Sequence, residues 1–196
     1  MKNAVELKDI TKFFPSSNVL ANNNVSLEVR LGEVHALVGE NGAGKTTLMN
    51  ILYGLHPPDS GQIMVNGQEV QVSHPDDAIR LGIGMVHQHF KLVPSFTIAE
   101  NIMLGMEPDR YGFLQKREEA DQVRALADRF GLPVDPYARI RDLPVGMQQR
   151  VEILKALQRE AQILILDEPT AVLTPQEVKE LLAVVRNLAE RGRTII

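Results

Sequence analysis

Residues 39–47 of this 196-residue chain read GENGAGKTT, and Gly39, Gly44, Lys45 and Thr46 fall at the spacing of a phosphate-binding loop. A loop that wraps phosphates must aim successive backbone N–H groups inward, and glycine turns that tightly because no side chain stands in the way. Gly42 and Gly44 supply that freedom. Lys45 would reach the β- and γ-phosphates of a nucleoside triphosphate as a point charge, and the Thr46 hydroxyl would ligate Mg²⁺. Gly39, Glu40, Asn41, Gly42, Ala43, Gly44, Lys45, Thr46 and Thr47 are therefore the expected nucleotide cradle. The flanks suit it: residues 34–38 (VHALV) form a short apolar strand, and residues 46–53 (TTLMNILY) a helix whose positive N-terminal end faces the phosphates.

Residues 163–166 (ILIL) are an unbroken apolar run, the pattern of a strand buried on both faces, and two acids, Asp167 and Glu168, follow it. In open α/β sheets ligands bind outside the carboxyl ends of the strands, so both acids are expected at the crevice of the phosphate loop. Residues 83–86 (IGMV) read as another buried strand that delivers His87-Gln88-His89 to its end. Two histidines at i and i+2 have the spacing of metal ligands, but no third ligand is near, so they read as loop residues. Ahead of the loop, Phe13 and Phe14 offer either a ring on which adenine stacks or ordinary strand-end packing.

Elements that would position these groups follow from periodicity and caps. Residues 5–10 and 25–29 alternate apolar and polar, as half-buried antiparallel strands do, and Asn66-Gly67 joins 62–65 to 68–70 as a hairpin. A short helix opens near 73–78 with proline and acids in its first turn, and Gly82 stops it. Thr97 and Glu100 form a capping box, and residues 116–130 a helix with Val123, Leu126, Ala127 and Phe130 on its apolar side. Another helix runs over 151–157, and Thr174-Pro175-Gln176-Glu177 caps a last one with Val178, Leu181, Leu182, Val185 and Leu188 as its buried stripe. Residues 193–196 begin one more core strand, so the chain is expected to be cut short relative to its natural sequence. The fold class is α/β: a nucleotide-binding core of residues 1–90 and 151–196 with a mainly parallel sheet, an N-terminal antiparallel β subdomain, and a helical insert over about 91–150.

With 44% apolar residues the chain can bury a large core, and its net charge of −4 offers no broad basic field for nucleic acid. No run approaches the roughly 18 to 20 apolar residues of a membrane span, so a membrane role would come through a partner. There is no cysteine, hence no disulfide framework, and the first residues lack the apolar core of a secretion signal. The default location is cytoplasmic.

GENGAGKTT, Gln88 at a strand end, LPVGMQQR at 143–150 and ILILDEPT at 163–170 together resemble the ATP-binding cassette of ABC transporters, a P-loop NTPase with a RecA-like core. The resemblance implies ATP and Mg²⁺ as ligands: Phe14 stacks on adenine, Lys45 and Thr46 serve phosphate and metal, Gln88 senses Mg²⁺ and the attacking water, Asp167 completes the metal site, and Glu168 is the general base. It implies a head-to-tail dimer with a second cassette, in which Leu143, Pro144, Val145, Gly146 and Met147 lie against the γ-phosphate held by the opposite one. Transmembrane permease subunits, docked near 88–101 at the cytoplasmic face of the membrane, and an indirect extracytoplasmic solute-binding protein complete the implied partners.

Residues 85–105, 145–157 and 167–177 are similar to importer ATPases for nucleosides or simple sugars, a group in which two cassettes are commonly fused. By that likeness these residues are most of a first cassette, and a histidine expected after the final strand lies beyond Ile196. The general family pattern at 143–147 is LSGGQ, and only Leu143 and Gly146 keep their types; Pro144 replaces a serine whose hydroxyl would hold the opposite γ-phosphate. Thr174 stands where many cassettes have aspartate. Two other functions stay in view: an ATP-gated dimerisation module with vestigial hydrolysis, favoured by Pro144 and opposed by Glu168, and a soluble non-transport ABC ATPase, opposed by the acidic balance.

Overall fold

The computed structural model describes residues 2–88, 90–110 and 113–196. His89, part of the His87-Gln88-His89 reading, lies outside them. The chain runs β1 (Asn3–Phe14), β2 (Val19–Arg30), α1 (Lys45–Leu52), β3 (Ser60–Val65), β4 (Gln68–Val70), α2 (Pro75–Arg80) and β5 (Ile83–Val86). Next come α3 (Ile98–Met103), a small ribbon of β6 (Asp109–Arg110) and β7 (Phe113–Leu114), and α4 (Lys116–Phe130). It ends with α5 (Val145–Gln158), β8 (Ile163–Leu166), α6 (Pro175–Glu190) and β9 (Thr194–Ile195). By contacts it divides into two units, one of Met1–Met85, Ala161–Asp167 and Leu188–Ile196, the other of Val86–Glu160 and Glu168–Asn187.

In the first unit an antiparallel sheet has the order β2-β1-β3-β4; Val5 and Leu7 of β1 are buried as the alternation predicts, and Ile10 is buried beyond a register shift at Asp9, whose φ is 52°. Asn66 and Gly67 turn the β3–β4 hairpin with φ of 53° and 83°, the positive values of a type I′ turn. A second sheet has the order β5-β8-β9, in which β8 and β9 run parallel. Helix α1 buries Leu48, Met49, Ile51 and Leu52. Residues 34–38, expected as a short apolar strand, make a single bridge, Val34 to Ile195. The His35 N–H donates to the Ile195 carbonyl at 2.8 Å, and Val38 is 89% exposed.

In the second unit the Thr97 capping box forms as expected: Thr97 Oγ1 accepts the Glu100 N–H at 3.2 Å and Glu100 Oε2 accepts the Thr97 N–H at 2.9 Å. Helix α3 packs against α4 and α5. Ala120, Val123, Ala127 and Phe130 bury the apolar side of α4, whereas Leu126 is only partly covered and Glu119 is buried instead. Helix α5 starts at Val145, so the polar stretch 145–150 is its first turns: the Pro144 carbonyl accepts the Met147 and Gln148 N–H groups at 3.0 and 3.1 Å. Helix α5 is continuous to Gln158 and packs on α3 and α4. Among the described residues no helix is long and apolar enough to cross a membrane.

Candidate nucleotide site

Gly42 and Gly44 have φ of 84° and 85°, the left-handed conformation that lets the loop turn, and Gly44 is the N-cap of α1. A Cβ at Gly44 would sit 2.2 Å from the Ala21 carbonyl oxygen of β2, so close backbone approach also requires glycine there. Lys45 Nζ donates to the carbonyls of Gly39 and Glu40 at 2.7 and 2.8 Å, folding the ammonium back over its own loop. Asn22 reaches the loop from β2: it is 4% exposed, and its amide donates to the Gly44 carbonyl at 3.2 Å. Asn22 escapes sequence reasoning because it sits among three consecutive asparagines with no motif to mark it.

Thr46 Oγ1 donates to Asp167 Oδ1 at 3.0 Å, joining the start of α1 to the residue just after β8. A hydroxyl and a carboxylate are hard oxygen donors, the ligand chemistry of Mg²⁺, so these residues fit that ion. Among the described residues no three His, Cys, Asp or Glu side chains gather, so an ion here would complete its sphere with phosphate oxygens and water.

In the second unit Gln88 Nε2 donates to Glu168 Oε2 at 2.9 Å, which orients the amide and leaves the other carboxylate oxygen for a further donor. Glu168 has a φ of 47°, left-handed for a residue with a side chain. Such strain costs on the order of 1–3 kcal/mol and concentrates at functional sites. Sequence reasoning names Glu168 but carries no sign of this backbone.

The segment 143–147 lies at the start of α5, with Pro144 as N-cap and no side-chain cap. Its Gly146 N–H donates to Glu177 Oε1 at 3.1 Å, while Glu177 Oε2 accepts the Thr174 N–H at 2.9 Å and the Thr174 hydroxyl at 2.8 Å. These hydrogen bonds, led by the Thr174 N–H, hold the Glu177 carboxyl below the usual glutamate range. Glu177 was legible as a capping residue; its bond to Gly146, 31 positions away, was not. In the first unit the Phe14 ring stands edge-on to His56, with centroids 5.3 Å apart and planes at 82°, and Lys12 Nζ lies 5.7 Å from its centre.

A family model described as ABC transporter matches residues 22–171, covering the phosphate loop, Gln88, the 143–147 segment and both acids. The chain belongs to the ABC transporter family. It is 53% identical over 196 residues to the guanosine import ATP-binding protein NupO of Bacillus subtilis (strain 168), covering 100% of this chain and 38% of that protein. It is 52% identical over 192 residues to the nucleoside import ATP-binding protein NupA of Lactococcus lactis subsp. cremoris (strain MG1363), covering 98% of this chain and 38% of that one. The chain thus spans about two fifths of the length of these relatives. Among solved structures it superposes on a nucleotide-free ATP-binding cassette from an ABC transporter with a TM-score of 0.86 at 24% identity, covering 98% of this chain and 79% of that one. It also matches the dimeric post-hydrolysis state of the ATP-binding cassette MJ0796 bound to ADP and Pi, with a TM-score of 0.79 at 27% identity, over 97% and 85% of the two chains. The fold is that of a P-loop ATP-binding cassette.

Proposed function

We propose that this chain binds and hydrolyses ATP to power an ABC importer for a small polar solute, a nucleoside or a simple sugar, through separate permease subunits at the cytoplasmic face of the membrane. Relatives named for guanosine, nucleoside and ribose import support the solute class. The observation that carries hydrolysis is the 2.9 Å contact of the Gln88 amide with the Glu168 carboxylate, a base already oriented by a neutral donor. Lys45 exchanges the carbonyls of Gly39 and Glu40 for the β- and γ-phosphate oxygens. Thr46 and Asp167 would hold Mg²⁺, which when bound neutralises charge developing on the phosphates. Gln88 orients the attacking water and Glu168 takes its proton. Phe14 offers its face to adenine, and Leu143, Pro144, Val145, Gly146 and Met147 meet the γ-phosphate held by a second, head-to-tail cassette, whether separate or fused. An extracytoplasmic solute-binding protein delivers the solute.

The test is uptake of labelled guanosine and labelled ribose into membrane vesicles containing the assembled transporter. ATP-dependent accumulation of one of them, abolished by Lys45→Ala, is expected; no ATP-dependent uptake of any nucleoside or sugar would refute the import reading. A second reading, an ATP-gated dimerisation module with vestigial hydrolysis, is favoured by the missing hydroxyl at Pro144 and by the engaged Gly146 N–H. It predicts ATP-dependent association without phosphate release.

A further inference from the structure

Three polar side chains of α5 grip the backbone of two separate segments. Gln149 Nε2 donates to the Pro169 carbonyl at 2.9 Å, Glu152 Oε1 accepts the Lys91 N–H at 2.7 Å, and Lys155 Nζ donates to the Lys91 carbonyl at 2.8 Å. Positions 149, 152 and 155 lie three apart, so they form one stripe on the helix, each step advancing about 4.5 Å along the axis. Gln149 and Glu152 are 3% and 4% exposed, so the stripe is not a solvated surface. A carboxylate at that depth is an expensive choice where an apolar side chain would pack, and burial pushes the Glu152 carboxyl above the usual glutamate range.

Each gripped segment carries one member of the hydrolytic pair. Lys91 follows Gln88 by three residues, and Pro169 is bonded directly to Glu168. The contacts therefore close a circuit: from α5 to Lys91, along the chain to Gln88, across the 2.9 Å hydrogen bond to Glu168, through Pro169 and back to α5 at Gln149. Both peptide groups of Lys91 are held, its N–H by Glu152 and its carbonyl by Lys155, which removes the freedom of that residue to swing. We infer that Glu152 and Gln149 are positioning residues for hydrolysis, holding the main chain beside Gln88 and Glu168 so that amide and carboxylate stay in contact. The inference rests on Glu168 being the general base.

The experiment measures ATP turnover and ATP affinity of the assembled transporter carrying Glu152→Met, Glu152→Gln, or Glu152→Met combined with Gln88→Ala. A misplacement of about 1 Å can cost about 10²-fold in rate, so Glu152→Met should lower kcat by roughly 10- to 100-fold with KM for ATP within about 2-fold of the parent. Glutamine retains an acceptor for the Lys91 N–H, so Glu152→Gln should recover most of the turnover. In the Gln88→Ala background Glu152→Met should add less than about 2-fold, because the two act through the same contact. A kcat loss matched by an equal loss of ATP affinity, no recovery by glutamine, or full additivity with Gln88→Ala would each overturn the inference. Should Glu152→Met fail to fold, Gln149→Met carries the same test through the Pro169 carbonyl. Parent-rate turnover in Glu152→Met beside a slow Glu168→Gln overturns this inference alone, whereas parent-rate turnover in Glu168→Gln removes the general base and this inference with it.

Discussion

Glu177 and Gly146 are fitted to each other: the Gly146 N–H donates to Glu177 Oε1 at 3.1 Å, and a Cβ added at Gly146 would stand 2.7 Å from that same oxygen. No positive φ requires glycine there, so the glutamate side chain is what excludes a larger residue. A methyl at 146 would push the end of the Glu177 side chain away, so Gly146→Ala should lower stability by the lost hydrogen bond, about 0.5–1.5 kcal/mol, before any nucleotide is present. In a Glu177→Ser background the same change should cost clearly less. Denaturant titration of the four proteins measures this, and an equal cost in both backgrounds would contradict it.

Glu177 and Glu152, both of the second unit, titrate in opposite senses. Glu177 has its folded carboxyl lowered by Thr174 and Gly146, so its contribution is present above the usual glutamate range and lost as pH falls through the lowered value. Glu152 has its folded carboxyl raised by burial, so stability is highest below the usual range and declines as pH rises from there to the raised value. Melting temperature against pH should show a shallower acid-side fall in Glu177→Gln, with Glu33, Asp59, Asp77, Glu100 and Glu107 still lowered, and a shallower decline above the usual range in Glu152→Gln, with Glu119 still raised. Curves that keep the parent shape in both variants would refute these assignments.

Asn22→Ala should weaken ATP binding by roughly 2- to 10-fold, the worth of one hydrogen bond of about 0.5–1.5 kcal/mol, by removing one of the two hydrogen bonds to the Gly44 carbonyl, which also accepts the Leu48 N–H at 2.9 Å. Titration calorimetry reads the affinity. An unchanged value would show that the Leu48 N–H bond and the approach to Ala21 hold Gly44 without Asn22.

What the sequence made legible was mostly local. The hairpin at Asn66-Gly67, the boxes at Thr97 and Thr174, the 116–130 helix and the cradle glycines all follow from backbone preferences within a few residues. Contacts between distant positions were not legible: Asn22 to Gly44, Glu177 to Gly146, and the stripe of α5 on Lys91 and Pro169 each depend on where whole elements pack. The apolar run over 34–38 was legible, but its single bridge, Val34 to Ile195, depends on a position far along the chain.

On the proposed role of residues 143–147 against an opposite γ-phosphate, Pro144→Ser in the assembled transporter should raise turnover, since it places a hydroxyl donor at the N-cap of α5. The assay is ATPase rate at saturating ATP. An unchanged rate would leave the backbone N–H groups as the only donors of that segment.

The central claim is that Glu168, oriented by Gln88, is the base that activates water. ATP binding and phosphate release by the assembled transporter, parent against Glu168→Gln at saturating Mg-ATP, test it most directly. Glutamine keeps the shape and cannot take the proton, so binding should persist while hydrolysis slows by roughly 10²- to 10⁴-fold. Phosphate release at the parent rate in Glu168→Gln would contradict the account.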